Sequence, residues 1–153
     1  MALWFESSVA FDKIQENGAV KKVTEKNLFD ALSFTEAEAR TIEELTPYIS
    51  GDFSVKAVKK TKISEIFFDE EADKFYLVNV AFITIDEKSG VEKENISQIL
   101  VQANDFDSAV AAFKDGMKGT MADWIIKSVA ETPYMGVYTA RTFGRWRMRR
   151  DMK

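Results

Sequence analysis

The feature that most restricts how this chain can fold is its correspondence with itself at an offset of 72 positions. Gly18 then falls on Gly90, Lys21 on Lys93, Leu28 on Leu100, Ala31 on Ala103, Phe34 on Phe106 and Ala37 on Ala109, with no gap. After a one-residue shift, "FSVKAVKKT" (53–61) aligns with "WIIKSVAET" (124–132), placing Lys56 on Lys127, Val58 on Val129 and Thr61 on Thr132. Ordered matches through turn, strand, helix cap and helix are the mark of a duplicated supersecondary unit.

Each copy reads β-β-α-β. The turn dipeptides Asn17-Gly18 and Ser89-Gly90 separate extended runs, which predicts hairpins over 3–14 with 19–31 and over 75–86 with 91–103. Ser33 followed three residues later by Glu36 is a capping box, in which the hydroxyl accepts from an orphan amide and the carboxylate reaches back. The helix it opens has an apolar face of Phe34, Ala37, Thr41, Ile42 and Leu45, and Pro47 stands beyond its end. The second helix starts at Asp105 and repeats the spacing with Phe106, Ala109, Val110, Phe113 and Met117. Closing strands are expected near 53–67 and 124–138. The resulting fold class is α+β: a two-layer sandwich in which both helices cover one face of a mainly antiparallel six-stranded sheet. Two repeats, about 3–67 and 75–138, make a single domain over residues 1–138, and a basic tail follows at 139–153.

Strand alternation raises the question of the other face. In the first copy Phe5, Val9 and Phe11 point one way, and Glu6, Ser8, Ala10 and Asp12 point the other, as in a strand with one wet side. In the second, Leu77, Ala81, Ile83 and Ile85 are assigned to the helix side, which leaves Tyr76, Val78, Val80 and Phe82 as an equally apolar reverse side. That side is expected to be an oligomer interface, a dimer being the first guess, unless the sheet curls enough to bury both faces.

Composition excludes much chemistry. The 153 residues contain no His and no Cys, so neither a Ser-His-Asp or Cys-His nucleophile nor a His/Cys zinc site can be built. No carboxylate pair or Ser/Lys set is positioned by spacing, and the expectation is a protein that is not an enzyme and has no cofactor or metal. The acidic run Asp69, Glu70, Glu71 and Asp73 lacks the spacing and turn glycine of an EF-hand and reads as a solvated connector. "KDGMKGT" (114–120) does not have the order of a phosphate-binding loop, so Gly116 and Gly119 are read as helix-ending residues. No apolar run has membrane-spanning length and the N-terminus lacks the order of a secretion signal, so a cytoplasmic location without membrane contact is expected.

The segments "KKVTEKNLFDALSFTEAEARTIEELTPYISGDF", "ITIDEKSGVEK" and "LVQANDFDSAVAAFKDGMKGTMADW" resemble a family of small uncharacterised proteins from Bacteroidetes bacteria, their phages and mobile elements. The likeness spans about residues 4–138. It implies a bacterial intracellular setting with neighbours in DNA metabolism, and carries no activity or site residue with it. The segment after Tyr138 departs from the family's usual ending.

Positive charge suggests a partner. In the tail, Arg141, Arg145, Arg147, Arg149, Arg150 and Lys153 against Asp151 give +5, leaving -9 for residues 1–138. Phe143 and Trp146 lie among these arginines, a mixture suited to phosphate pairing and base stacking. Lys56, Lys59, Lys60 and Lys62 place four cations on one strand, where they either contact nucleic acid or guard a sheet edge. The leading expectation is a homo-oligomeric binding module of phage or mobile-element origin that engages nucleic acid through these segments. Two alternatives are a factor that binds a host enzyme or defence complex through its acidic body, and a small-nucleotide binder. For the tail, the competing reading is an extension without function.

Overall fold

The computed structural model describes residues 3–141 and 144–149, with side chains to Thr139. The hairpin signals become β1 (Leu3–Ile14) with β2 (Val20–Ala31), and β5 (Lys74–Ile85) with β6 (Glu92–Ala103). Both are antiparallel over twelve residue pairs. Gly18 and Gly90 turn them at φ 84° and 69°, where a side chain would be strained. Helix α1 (Phe34–Leu45) starts at the predicted cap, the Glu36 amide donating to Ser33 Oγ at 3.1 Å. Helix α2 (Phe106–Gly116) starts at Asp105, whose Oδ1 accepts from the Ser108 amide at 2.7 Å.

The closing segments each divide in two. The first becomes β3 (Phe53–Lys60) and β4 (Ile63–Phe67), the second β7 (Asp123–Glu131) and β8 (Tyr134–Arg141), with β9 (Gly144–Arg149) beyond. Instead of a single six-stranded sheet there are two mixed sheets, one ordered β3-β1-β2-β8-β9 and the other β4-β6-β5-β7. The chain accordingly forms two compact units, the second comprising Lys62–Thr132 and the first the segments before and after it.

The fourth strand of each unit comes from the other repeat. Strand β8 pairs in parallel with β2 and β4 in parallel with β6. The registers correspond residue for residue: Lys26 with Tyr134 and Phe29 with Tyr138 in one unit, Gln98 with Ile63 and Val101 with Phe67 in the other. The irregularity in β1–β3, between Ser8 and Val9, recurs in β5–β7 between Asn79 and Val80. Even the exits from the third strands match. Thr61 donates both its amide and its hydroxyl to the Trp4 carbonyl at 2.9 and 2.8 Å, and Thr132 does the same to Phe75.

Within the first unit, Val9, Phe29, Leu45, Ile49 and Tyr138 form one core cluster, and Phe5, Ala31 and Ala37 another. Of the predicted α1 stripe, Ala37, Thr41 and Leu45 are buried, whereas Phe34 and Ile42 are exposed; Arg40 and Glu44 are buried in their stead. In the second unit Val78, Val80, Ile99 and Val101 pack under Phe113 and Met117, while Phe106 is exposed.

That packing inverts the expected faces of β5. Tyr76, Val78, Val80 and Phe82 lie on the helix side, Tyr76 in a cluster with Ala109 and the others around Phe113, so they form the second unit's own core. Leu77, Ala81, Ile83 and Ile85 therefore alternate to the reverse side. Both faces of β5 are largely apolar, and the polar residue that separates them is Asn79, which lies on the reverse side between Leu77 and Ala81. The reverse sides are also partly buried, Leu28 and Val137 in the first unit and Phe75, Ala81 and Leu100 in the second each being at most 1 % exposed.

Candidate polyanion-binding edge and the polar core beside it

Because the repeats share a register, each position of one unit has a counterpart in the other, and two differences stand out. The first is in the core. Ser7, Asn27, Thr41 and Glu44 are all buried in the first unit. Their counterparts in the second are Val78, Ile99, Phe113 and Gly116. A dry layer in one repeat is a polar layer in the other.

The polar layer is hydrogen-bonded across elements, as buried polar groups must be. Ser7 Oγ meets Thr41 Oγ1 at 2.6 Å, and Thr41 in turn donates to the Ala37 carbonyl at 2.7 Å. Next to it Arg40 donates to both the carbonyl and the carboxylate of Asp30 in a buried ion pair. Thr139, on β8, donates to the other carboxylate oxygen at 2.7 Å. Asn27 Nδ2 donates to Glu25 at 3.0 Å, while Asn27 Oδ1 and Arg40 Nη2 lack a partner among the described residues. Tyr134 donates to Glu6 Oε1 at 2.9 Å, and Lys26 stands 4.0 Å from Glu6 Oε2. Burial first, and the Glu6 carboxylate second, push the Tyr134 phenol above its ordinary value.

The second difference is in charge. Lys62–Thr132 holds 7 Lys and Arg against 14 Asp and Glu, a net -7, which leaves +3 for the rest of the chain. The contrast is visible at one position. In β3 Lys56 is the extra residue of the bulge, falling between Val55, opposite Val9, and Ala57, opposite Ser8. Its counterpart Lys127 fills the same bulge in β7 and pairs with Glu94 at 3.1 Å. The first unit carries Lys22 where the second has Glu94, so the acid that neutralises Lys127 is replaced by a second cation. Lys56 makes no ion pair among the described residues.

Strand β3 is an edge strand, and Lys56, Lys59 and Lys60 are exposed along it, with Lys62 exposed just beyond. Beside the edge lies an open groove of about 370 Å³ lined by Phe34, Thr35, Glu38, Val55, Lys56 and Val58. Phe34 is 55 % exposed and held edge-on against Phe5, ring centroids 5.0 Å apart. Its exposure, which the apolar stripe did not foretell, follows from its place as the first helical residue, at the rim of the sheet.

The basic tail is not an appendage to the sheet. Arg141 closes β8, and Arg145, Trp146, Arg147 and Arg149 are on β9, which pairs antiparallel with β8 and forms the edge opposite β3. Arg150 lies outside the described residues. Lys56, Lys59 and Lys60 thus share a sheet with the arginines, at its two edges. The predicted interface residues Tyr76, Val78, Val80 and Phe82 are in the second unit's helix-facing core. Asp69, Glu70, Glu71 and Asp73 form the β4–β5 turn, with Asp69 Oδ1 capping the Glu71 amide at 3.1 Å. No group of three or more acidic residues arranged to hold a metal occurs among the described residues, and no helix there is long and apolar enough to cross a membrane.

Comparison with known proteins returns no curated protein and no solved structure that matches. A family model described as a domain of unknown function, DUF4494, matches residues 3–140, which ends one residue before β8 closes and leaves β9 outside the matched segment. With all but the ends of the sequence covered, the chain belongs to the DUF4494 family.

Proposed function

We propose that the protein is a nucleic-acid-binding module whose β3 edge holds a single strand. The observation that carries this reading is the loss of the neutralising acid beside Lys56, together with Phe34 exposed in the same groove. Successive lysines at Lys56, Lys59 and Lys60 suit a phosphate backbone, and an immobilised aromatic ring gives a base a surface to stack on whatever its identity. The arginines of β9 extend the positive charge to the other edge of the sheet. Sequence discrimination is not implied, because backbone pairing and stacking are both tolerant of sequence.

Fluorescence anisotropy with a labelled single-stranded oligonucleotide at several salt concentrations tests this. Affinity should fall with salt at about -0.7 per neutralised phosphate. Lys56→Glu with Lys59→Glu should make the slope shallower by about 1.4. Phe34→Ala should weaken binding by about 1–3 kcal/mol, roughly 5- to 150-fold, with the slope unchanged. Absence of binding at low salt, or a slope indifferent to the lysine changes, refutes the proposal.

The second unit favours another class of partner. Its net -7 and the exposed Met121 and Ile125 suit a basic protein surface with an apolar centre. Capture of such a partner by the intact chain, abolished by Met121→Asp, would support that reading.

A further inference from the structure

The connectors between third and fourth strands are too short for either repeat to complete its own sheet. Strands β2 and β3 are both antiparallel to β1 and therefore parallel to each other, and the fourth strand is parallel to β2. A fourth strand returning beside its own β2 would thus run parallel to the strand just left, at the far side of the sheet. The chain would have to retrace eight residues of β3, about 26 Å, and cross three strand spacings, about 14 Å. Only Thr61 and Lys62 separate β3 from β4, a reach of about 11 Å, and only Thr132 and Pro133 separate β7 from β8. Parallel strands of one sheet need a crossover connection of a dozen or more residues. Each fourth strand can only be given away.

We infer that β2 and β6 are docking edges for a parallel strand delivered by another repeat, so that the chain is a strand-exchanged pair of halves able to assemble in trans. The partner each edge fits is a second copy of the ββα-β-β repeat. Each edge also carries a buried residue that reads the incoming strand, and the two residues occupy equivalent positions. Asp30 accepts from Thr139 of β8 at 2.7 Å. Gln102 accepts from the Asp69 amide and donates to the Ala72 carbonyl, both at 2.9 Å, in the segment that leaves β4. The rings differ in the same way. Tyr138 stacks on Phe29 at 4.8 Å, whereas Phe67 occupies the space that a side chain on Gly116 would fill, a spot that belongs to Glu44 in the first unit. A carboxylate keyed to a hydroxyl on one edge, and an amide keyed to backbone groups on the other, separate β8 from β4 even though both have the same length of connector and the same register.

The test uses the folded chain. A protease site inserted between Glu70 and Glu71, in the exposed β4–β5 turn, allows one cut that leaves β1–β4 on one fragment and β5–β9 on the other. The fragments should co-elute with the uncut protein in native buffer, separate in denaturant, and recombine when it is removed. Fragments that part in native buffer overturn the inference. A second measurement does not depend on the insertion. The chain has no cysteine, so Lys26→Cys with Tyr134→Cys, a register pair across β2 and β8, should cross-link under mild oxidation. Lys26→Cys with Ile63→Cys should not, although Ile63 is the residue that a repeat keeping its own strand would place there. Cross-linking of the second pair, or of neither, refutes the exchange.

Discussion

Arg40→Ala is the substitution for which the structure gives the sharpest expectation. The Arg40 and Asp30 side chains are 9 % and 7 % exposed, and Arg40 donates to both the carboxylate and the carbonyl of Asp30. Truncating Arg40 takes its guanidinium away from the Asp30 carboxylate, in a site from which water is largely excluded. Breaking a buried pair by removing one partner costs about 3–5 kcal/mol, mostly the penalty of an uncompensated charge. With a urea m-value of about 1–3 kcal/mol per molar, the unfolding midpoint should fall by about 1 M or more. The second repeat shows what the site tolerates once the charge is gone, because its counterparts of Asp30 and Arg40 are Gln102 and Ala112. Adding Asp30→Asn to Arg40→Ala removes the stranded charge while keeping an acceptor for Thr139, and should bring stability to within about 1–2 kcal/mol of wild type. Equilibrium urea unfolding of the two single variants and the double variant measures the cycle. If Arg40→Ala costs under about 1 kcal/mol, or if the double variant is no more stable than Arg40→Ala alone, the pair is not the buried electrostatic unit described.

Other expectations follow from single contacts. In Gly116→Ala the new Cβ would stand 2.6, 2.7 and 2.9 Å from three Phe67 ring atoms, so overpacking of about 1–3 kcal/mol should outweigh the roughly 1 kcal/mol that Ala contributes to a helix. Thermal denaturation should show a lower Tm, which Phe67→Leu in the same chain raises again. Thr61→Val and Thr132→Val each remove a hydroxyl that reinforces a strand exit, and should each cost about 1 kcal/mol in denaturant unfolding. The backbone hydrogen bond from Ser108 holds the Asp105 carboxyl below its ordinary value. A depressed acid contributes its full stabilisation above the unfolded pKa of about 3.9 and loses it as pH falls on through the lower folded pKa, and Asp105→Ala should flatten the acid limb of the stability profile. For Tyr134 the sign is opposite: the phenol is raised, so stability is intact below the unfolded pKa of about 10 and declines as pH rises beyond it. Tyr134→Phe should remove that alkaline decline, followed by circular dichroism against pH.

Local signals located the elements because they are local. Ser33, Glu36 and Asp105 reveal helix starts through bonds that span three residues, and Asn17-Gly18 and Ser89-Gly90 reveal turns through backbone freedom. The lysines of β3 were legible as charge on an edge, though not the exposed Phe34 beside them, whose class reads as core. Arg40 and Glu44 went unread for the converse reason: charged residues on a helix are taken for its wet side until a partner such as Asp30 is brought to them. The faces of β5 were misassigned because both stripes are largely apolar; the signal passed over is Asn79, which stands between Leu77 and Ala81 and marks the side that the helix does not cover.

By itself the sequence determined that there are two repeats, where each hairpin, cap and helix begins, and that positive charge gathers after Tyr138. Only the tertiary structure decided where each closing segment divides, which edge receives each fourth strand, that Ser7, Asn27, Thr41 and Glu44 form a buried polar layer where the other unit has Val78, Ile99, Phe113 and Gly116, and that Arg145, Arg147 and Arg149 continue the first sheet. Strand exchange joins residues as far as 128 positions apart, as Glu6 and Tyr134 are, and no periodicity within a window of a few turns can record a pairing that exists only when the distant segments meet.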